Sequence, residues 1–332
     1  MARSLAQSIT NNMNVILAID GGGSRTRCRA ITRESRTLGA GEGGASNHLL
    51  VAPEIVKTSL EEAINAALDQ AQLRRTDVVC VSAGLAGVDY DGSGAVEMEE
   101  LFRELGFANA VINADMVIAH AGALGGEPGV LALAGTGSAI LGIDASGRRI
   151  KIGGWGPVYG DEGSAWRISQ TALIAAARAY DGRGPQTALL PAITQALGLR
   201  DFKVTVARIY IEKMEPREIA ALSRVVYEMA EAGDEVARNI FLRAGEDLAE
   251  GAAAALRQLD LTGERRVVSY QGSVLTTCSL VRERFSEALR RQFPNVSIPP
   301  PRATPVFGAY LLGCEALGWP FPVELTRQPE ED

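Results

Sequence analysis

The sequence has few of the residues that build metal centres and disulfide frameworks: its 332 residues include only two histidines and four cysteines. His48 and His120 lie far apart in the chain, so neither a His-rich metal site nor a Ser-His-Asp triad is expected. No two cysteines form a Cys-x-x-Cys pair, which argues against a zinc site and a disulfide framework. We expect the cysteines to be small core residues; they are Cys28, Cys80, Cys278 and Cys314.

Long apolar runs and basic clusters are also lacking. No segment approaches the roughly 20 apolar residues of a membrane span, and residues 1–12 are too polar for the core of a signal peptide. The net charge of -7, without a basic block, argues against nucleic acid or an anionic membrane as the main partner. We therefore expect a cytoplasmic protein with neither partner. The chain length and the 46% of hydrophobic residues favour about two domains.

Two common phosphate-binding motifs are missing, but a different glycine-rich turn occurs twice. The chain has no Gly-Lys-Ser/Thr sequence of a Walker loop, and no G-x-G-x-x-G that opens a helix. Instead, the buried-looking runs 15–19 and 130–133 end in DGGGS (residues 20–24) and AGTGS (residues 134–138), and each turn is followed by a second strand. Backbone N–H groups at such hairpin tips can approach a phosphate closely. The repeat suggests two halves that grip one polyphosphate.

The order of predicted elements also indicates a two-part α/β protein. In the first half we predict strands 14–20, 25–32 and 36–42, helix 53–72, strand 77–83, helix 95–105 and strand 109–113. The second half begins in the same way, with strands 129–134, 138–143 and 148–153. It continues with helices 162–181, 186–198, 202–213, 216–232 and 234–258, strand 265–270, helix 276–292, strand 295–299 and helix 304–317. The helix-rich stretch is interpreted as an insertion into the second half.

The loop 153–164 combines glycines, a tryptophan and two acidic residues directly before a predicted helix. Asp161 could simply cap that helix. Capping would account for one carboxylate, but not for the glycines or for Trp155. We favour a binding function, because close backbone approach, an aromatic wall and a carboxylate suit a polyhydroxylated ligand.

Two further aspartates lie at the carboxyl ends of predicted strands. Asp115 opens the helix after strand 109–113, where helix capping and a catalytic role both remain open, since ligands of α/β sheets bind at strand carboxyl ends. Asp20 ends the first strand beside the first glycine turn. It could cap that turn, or it could hold Mg²⁺ directly or through water, as a phosphate donor requires.

Two short polar segments are weaker signals. Ser46, Asn47 and His48 lie in a loop where polar side chains could bind sugar hydroxyls, although such residues are common in loops. The turn at Gly272 and Ser273 follows a strand and precedes a helix. It could be an ordinary helix start or a nucleotide contact.

Taken together, these segments resemble the N-acetylglucosamine kinase family, which is grouped with the BadF/BadG/BcrA/BcrD ATPases in the superfamily of actin, sugar kinases and heat-shock chaperones. The resemblance extends from about Asn14 to Gly318. It is carried by DGGGSR (20–25), ASNH (45–48), AGTGS (134–138), GGWG (153–156) with GDEGSAW (160–166), and Gly272-Ser273. The tryptophan and GDEGS segments are the most specific of these motifs.

The resemblance implies an α/β fold of two ribonuclease-H-like (actin-like ATPase) domains with a central cleft, the second enlarged by helices. The implied domains are 13–120, completed by the C-terminal helix 303–320, and 121–302. The implied cofactors are ATP and Mg²⁺, with Asp20 on the metal. The implied ATP contacts are Gly22, Gly23, Ser24, Arg25, Gly135, Thr136, Gly137, Ser138, Gly272 and Ser273.

The implied activity is ATP-dependent phosphorylation of the C6 hydroxyl of N-acetylglucosamine, with Asp115 as the general base. The implied sugar contacts are Asn47, His48, Asp115, Gly154, Trp155, Gly156 and Asp161. The family also implies a homodimer. Residues 157–159, Pro-Val-Tyr, vary among relatives, so glucosamine and N-acetylmuramic acid remain alternative substrates. An apolar niche at Val158 and Tyr159 would suit an acetyl methyl group.

Two other functions remain open at the level of sequence. The same family label includes ATPases that activate radical dehydratases through an iron–sulfur cluster held by exposed cysteines. The four cysteines here fall in predicted strands and helices, which argues against that role. A non-catalytic sugar sensor is the second alternative, and the presence of both Asp20 and Asp115 argues against it.

Overall fold

The chain forms two units, each built on one mixed β-sheet, in the computed structural model, which describes residues 14–261 and 266–321. The division falls after Glu127 and again after Pro300, so the first unit is completed by the C-terminal segment. Among the residues described, no helix has both the length and the apolar composition needed to cross a membrane. The segment 1–12, the first residue of the predicted domain 13–120 and residues 262–265 of the predicted domain 121–302 lie outside the described ranges.

The first unit contains a five-stranded sheet of order β3-β2-β1-β4-β5. β1 pairs antiparallel with β2 and parallel with β4. Its strands are β1 Val15–Gly21, β2 Thr26–Thr32, β3 Thr37–Gly43, β4 Val78–Leu85 and β5 Ala110–Ala114. Its helices are α1 Pro53–Ala71, α2 Ala95–Glu104 and α3 Asp115–Leu124, together with α11 Pro305–Leu317, the last helix within the described residues.

The continuous apolar run of β1 is explained by burial on both faces. Leu17 and Ile19 pack in one cluster with residues of α1 and α2. Ile16 and Ala18 point to the opposite face and pack with residues of α3 and α11. A strand covered on both sides needs apolar residues at every position, which is why periodicity of two is absent here.

In its described residues, the second unit repeats the strand order of the first with one strand fewer, as β8-β7-β6-β9. Its strands are β6 Gly129–Ala134, β7 Ser138–Ile143, β8 Arg149–Gly153 and β9 Val268–Gln271. Its helices are α4 Ala165–Tyr180, α5 Leu189–Ala196, α6 Pro216–Ala221, α7 Ser223–Glu231, α8 Glu235–Gln258, α9 Ser273–Thr277 and α10 Ser279–Gln292. Helices α4 to α8 lie between β8 and β9 in the chain.

Several predicted elements are wrong at their ends or in kind. The helix predicted over 162–181 begins at Ala165, because Ser164 accepts a hydrogen bond from the Arg167 backbone N–H at 3.1 Å and is its N-cap. The segment 202–213 forms a 3₁₀ turn, Phe202–Val204, and a π-helical turn, Ala207–Ile211, rather than one helix.

Three further predictions differ from the structure. The helix predicted over 216–232 is divided into α6 and α7, and the one over 276–292 begins earlier and is divided at Cys278. The strand predicted over 295–299 is reduced to one bridge between Ser297 and Val267. The strand predicted over 265–270 is observed as β9, and its first residue lies outside the described ranges.

Candidate active site

The first unit places two carboxylates at the carboxyl end of its sheet. Asp20 is paired with Gly84 of β4, and Gly84 is in turn paired with Asn113 of β5, two residues before Asp115. Burial, and secondarily the negative charge of Asp115, raise the pKa of Asp20 from 3.8 to about 6. The two aspartates are therefore close enough for their charges to interact, and the burial of Asp20 makes its ionisation unfavourable.

Asp115 is the more exposed of the two carboxylates. It occupies the first position of α3, where its Oδ1 accepts a hydrogen bond from the Met116 backbone N–H at 2.7 Å. This bond satisfies one of the unpaired amides of the helix N-terminus. The N-cap of α3 is Ala114, so Asp115 pairs this amide from within the first turn. Asp115 is exposed directly after β5, where a ligand can reach it.

The first hairpin tip is exposed at Gly23, Ser24 and Arg25. The Gly22 N–H donates to the Arg25 carbonyl at 2.9 Å, which closes the turn. Directly below, the Thr26 hydroxyl donates to Ser46 Oγ at 2.8 Å, and the two side chains are buried. This buried pair fastens the loop that carries Asn47 to the base of the hairpin.

Asn47 and His48 lie against the loop that follows β4. Asn47 Oδ1 accepts the Leu49 N–H at 3.0 Å, as in an Asx turn. A Cβ at Gly87 would come within 2.8 Å of Asn47 Oδ1 and of His48 Nδ1, so only glycine fits there. The structure thus brings the Ser-Asn-His segment beside the first hairpin and the carboxyl end of β4.

The second hairpin tip is attached to the segment that precedes α4. The Ala165 N–H donates to the Gly135 carbonyl at 2.9 Å, and the Trp166 N–H donates to the Thr136 carbonyl at 3.2 Å. The Ser138 hydroxyl donates to the Glu162 carbonyl at 2.7 Å. The two segments that sequence analysis assigned to different ligands are therefore joined by hydrogen bonds.

Asp161 lies at the centre of that junction. Its Oδ1 accepts the Ser138 backbone N–H at 3.2 Å, and only 8% of its surface is exposed. Burial raises the pKa of this carboxyl, and the Ser138 N–H opposes that effect. The residue has φ of +58°, in the left-handed region. The alternative that Asp161 caps the helix, which the sequence analysis did not favour, is wrong, because Ser164 is the N-cap.

The glycine-rich loop before Asp161 exposes an aromatic surface. Gly153, Gly154 and Gly156 have positive φ, which allows the tight path of the chain. The Trp155 ring is 63% exposed and stacks on Tyr159, with ring centroids 6.5 Å apart. The loop thus presents an exposed aromatic face beside its backbone amides.

Arg167 is a residue of this site that sequence analysis missed. Its guanidinium donates to the Gly160 carbonyl and to Gln170, and it lies over the Trp166 ring, 5.5 Å from the centroid. It therefore fixes the end of the loop from within α4. A cation in the first turn of a helix runs against the helix dipole, which is the signal that could have identified it.

Gly272 lies against the base of the second hairpin. It has φ of +92°, and a Cβ there would collide with the backbone of Ala134. Ser273 follows as the first residue of α9. The structure thus brings Gly272 together with the AGTGS turn, as a shared nucleotide site would require.

The predicted site residues lie in two groups, one in each unit. The first unit gathers Asp20, Gly22, Gly23, Ser24, Arg25, Asn47, His48 and Asp115. The second gathers Gly135, Thr136, Gly137, Ser138, Gly154, Trp155, Gly156, Asp161, Gly272 and Ser273.

The fold and the paired glycine-rich turns define an α/β ATPase of the actin-like and sugar-kinase class, and comparisons with known proteins agree. Residues 17–313 match the BadF/BadG/BcrA/BcrD ATPase family. The chain therefore belongs to this family.

Three relatives illustrate the similarity. The N-acetylmuramic acid/N-acetylglucosamine kinase of Clostridium acetobutylicum is 31% identical over 90% of this chain and 98% of its own. The N-acetyl-D-glucosamine kinase of Dictyostelium discoideum is 27% identical over 90% of this chain and 97% of its own. A solved structure from Chromobacterium violaceum, of a proposed N-acetylglucosamine kinase, is 28% identical, with a TM-score of 0.73 over 91% of this chain and 99% of its own.

Proposed function

We propose that this protein is an ATP-dependent amino-sugar kinase that phosphorylates the C6 hydroxyl of N-acetylglucosamine. The observation that carries the proposal is the pair of carboxylates, Asp20 and Asp115, at the carboxyl end of one sheet beside an exposed glycine-rich hairpin tip. Phosphoryl transfer needs a positioned nucleophile and stabilised phosphate charge, and these residues can supply both. The kinases similar to this chain act on amino sugars according to their names.

Asp115 is proposed as the general base. Its carboxylate is exposed at the start of α3 and oriented by the Met116 N–H. The carboxylate accepts the proton of the sugar hydroxyl while that oxygen forms a bond to the γ-phosphorus of ATP. The bond between the γ-phosphorus and the bridging oxygen breaks, so the products are the sugar phosphate and ADP.

ATP is proposed to contact the glycine-rich turns. In the first unit the contacts are Gly22, Gly23, Ser24 and Arg25. In the second they are Gly135, Thr136, Gly137 and Ser138, with Gly272 and Ser273. The proposal is supported by the exposure of Gly23 to Arg25 and by the packing of Gly272 against Ala134.

Mg²⁺ is proposed to be held at Asp20. A partly buried carboxylate with a raised pKa, next to a second carboxylate, is an arrangement that a bound cation would relieve. Mg²⁺ in phosphate sites commonly uses one or two carboxylates together with phosphate oxygens. When bound, the ion would neutralise charge on the phosphates during transfer.

The sugar is proposed to contact Asn47, His48, Asp115, Gly154, Trp155, Gly156 and Asp161. The exposed Trp155 ring offers an apolar wall, and Val158 and Tyr159 are 84% and 70% exposed on the same loop. An acetyl methyl group could pack on this surface, which favours N-acetylglucosamine over glucosamine. N-acetylmuramic acid remains the alternative.

The burial of the cysteines argues against a function as activator of a radical dehydratase. All four are buried as free thiols, and burial raises the pKa of Cys80 to about 11. A cluster ligand must be a thiolate exposed to the cluster. Cys278, predicted to lie within a helix, is instead at the junction of α9 and α10, and it is buried as well.

The cellular location and the oligomeric state are also part of the proposal. We place the protein in the cytoplasm, because the reaction consumes ATP and four unpaired thiols suit a reducing compartment. We also propose a homodimer. Size-exclusion chromatography with light scattering checks the latter, and a single species of monomer mass over the micromolar range would contradict it.

The experiment that tests the function is ADP release by purified protein with Mg-ATP. The sugars compared are N-acetylglucosamine, glucosamine, N-acetylmuramic acid and glucose, with a sample lacking sugar. Turnover that depends on an amino sugar, and phosphate found at C6 of the product by NMR, is the expected result. Equal ADP release without sugar, or no release with any sugar, would overturn the assignment.

A further inference from the structure

The contact between Asp161 and Ser138 joins two segments that are proposed to hold different ligands. Asp161 belongs to the sugar loop, and Ser138 belongs to the glycine-rich turn proposed for ATP. Asp161 Oδ1 accepts the Ser138 backbone N–H at 3.2 Å. Both carboxylate oxygens are within 3.1 Å of the position that a Cβ on Gly137 would take. A buried negative charge therefore lies against the amides that a phosphate would use.

A phosphate and this carboxylate compete for the same group. Backbone N–H groups of a glycine-rich turn bind anions because they are unpaired and point outward. The Ser138 N–H is already used by Asp161, whose low exposure weakens the screening of its charge by water. An approaching polyphosphate therefore finds the Ser138 N–H already occupied and is repelled by the negative charge of Asp161.

The backbone holds Asp161 in this position. Its φ of +58° is a conformation that aspartate adopts less readily than glycine, and Gly163, two residues later, has φ of +79°. The Ala165 and Trp166 N–H groups donate to the carbonyls of Gly135 and Thr136. Hairpin tip and sugar loop are therefore fastened at several points, and the carboxylate cannot leave the tip merely by fraying of the loop.

A sugar would compete for the carboxylate rather than for the amide. Sugar hydroxyls are donors, and a carboxylate accepts up to about four hydrogen bonds. Hydrogen bonds from sugar hydroxyls withdraw negative charge from the carboxylate oxygens of Asp161, which weakens both the bond from the Ser138 N–H and the repulsion of a phosphate. The amide then becomes available to a phosphate.

We propose that Asp161 couples the two ligands, as a positioning residue that weakens nucleotide binding until an amino sugar engages its carboxylate. This inference rests on the proposed function, since it takes the sugar loop and the phosphate turn as the two ligand sites. The coupling is reciprocal, so nucleotide must raise sugar affinity by the same factor. Its consequence is low ATP hydrolysis in the absence of sugar.

The test is calorimetric titration of the non-hydrolysable analogue Mg-AMPPNP into wild type, Asp161→Asn and Asp161→Gly, without sugar. Both replacements tolerate a positive φ, so the loop path is preserved. We expect each variant to bind the analogue at least about fivefold more tightly than wild type, the lower range of allosteric coupling. Saturating N-acetylglucosamine should tighten binding to wild type by a similar factor, and by less in the variants.

Glu162→Gln is the matched control. Glu162 is exposed and adjacent, but Ser138 contacts only its backbone carbonyl. Its nucleotide affinity should match wild type within about twofold. Thermal unfolding of all four proteins reports whether they fold alike.

A gain in nucleotide affinity by the Asp161 variants could not result from a loss of structure. Equal or weaker binding by both folded Asp161 variants would overturn the proposal. Failure of the proposed function is recognised separately, by wild type that phosphorylates no sugar in the turnover assay. The titrations without sugar decide in either case whether Asp161 weakens nucleotide binding.

Discussion

At the scale of single residues, position in the sheet decides what each aspartate can do. Asp20 lies near the end of β1 and Asp115 follows β5, yet both are at the carboxyl end of one sheet, because β1 and β5 flank β4. Asp20 is partly buried with a raised pKa, whereas Asp115 is exposed and tied to the N-terminus of α3. Buried Asp20 is therefore suited to binding a cation, as proposed above, and exposed Asp115 is suited to accepting a proton.

Replacement of Asp115 by asparagine should abolish proton acceptance and leave the shape of the site intact. We expect kcat to fall by roughly 10²–10⁴-fold, the usual contribution of a general base. Nucleotide affinity, measured by calorimetry, should change little. Glu97→Gln is the control, because Glu97 is an exposed carboxylate in the first turn of α2. Unchanged turnover in Asp115→Asn would remove Asp115 from the mechanism.

Replacement of Asp20 by asparagine should stabilise the apoprotein while reducing activity. Because the pKa of Asp20 is raised from 3.8 to about 6, the folded protein binds an extra proton within that window. The free energy of unfolding of wild type therefore falls as pH rises through it, by at most about 3 kcal/mol.

The advantage of the Asp20→Asn variant should thus be larger at pH 8 than at pH 5, as measured by urea unfolding at both values. Asp69→Asn, on the exposed side of α1, is the control and should show no such trend. A variant less stable than wild type at pH 8 would contradict the strain inferred at Asp20.

At the scale of elements, the glycine-rich turns depend on close packing as much as on flexibility. Gly272 combines a positive φ with contact to the backbone of Ala134, and Gly21 is packed against Ser46 and Leu85. Sequence analysis predicted the turns from their composition. It could not predict which glycines touch another backbone, because such contacts join distant segments.

Gly272→Ala should lower both stability and nucleotide affinity. The φ cost is about 1–2 kcal/mol, and the collision with Ala134 adds about 1–3 kcal/mol. Gly147→Ala isolates the first effect, because Gly147 has φ of +84° with nothing within 4 Å of its added Cβ. Urea unfolding of both variants measures the difference. Equal destabilisation would show that Gly272 has room that the structure does not indicate.

At the scale of the whole molecule, the C-terminal helix completes the first unit. Tyr310 of α11 is buried, and its hydroxyl donates to the carbonyls of Thr32 and Arg33 at 3.0 and 3.2 Å. These bonds connect positions 278 and 277 residues apart in sequence. Helix α11 is thereby fixed to the end of β2.

Tyr310→Phe should therefore destabilise the first unit, because two partly buried carbonyls lose a donor. The expected cost is about 1–3 kcal/mol. Tyr180→Phe is the control, since the Tyr180 hydroxyl bonds Asp201 at an exposed position; its cost should stay within about 0.5 kcal/mol. Hydrogen exchange of β2 amides locates the effect. Unchanged protection there would contradict the role given to Tyr310.

The sequence by itself determined the succession of most strands along the chain, the two glycine turns and the helix-rich segment between β8 and β9, because apolar runs and glycines act through local backbone preferences. It was less informative at 202–213 and 295–299, where apolar periodicity is not matched by regular hydrogen bonding. The helix start after Ser164 also depended on a side-chain cap rather than on the apolar pattern.

Only the tertiary structure decided what the site residues contact. The raised pKa of Asp20 comes from its burial and, secondarily, from the charge of Asp115. The bond from the Ser138 N–H to Asp161 forms only because a hairpin and a later loop meet. Ser164, rather than Asp161, became the helix cap because the chain turns at Gly163. Such features depend on distances between residues far apart in sequence, which no local pattern encodes.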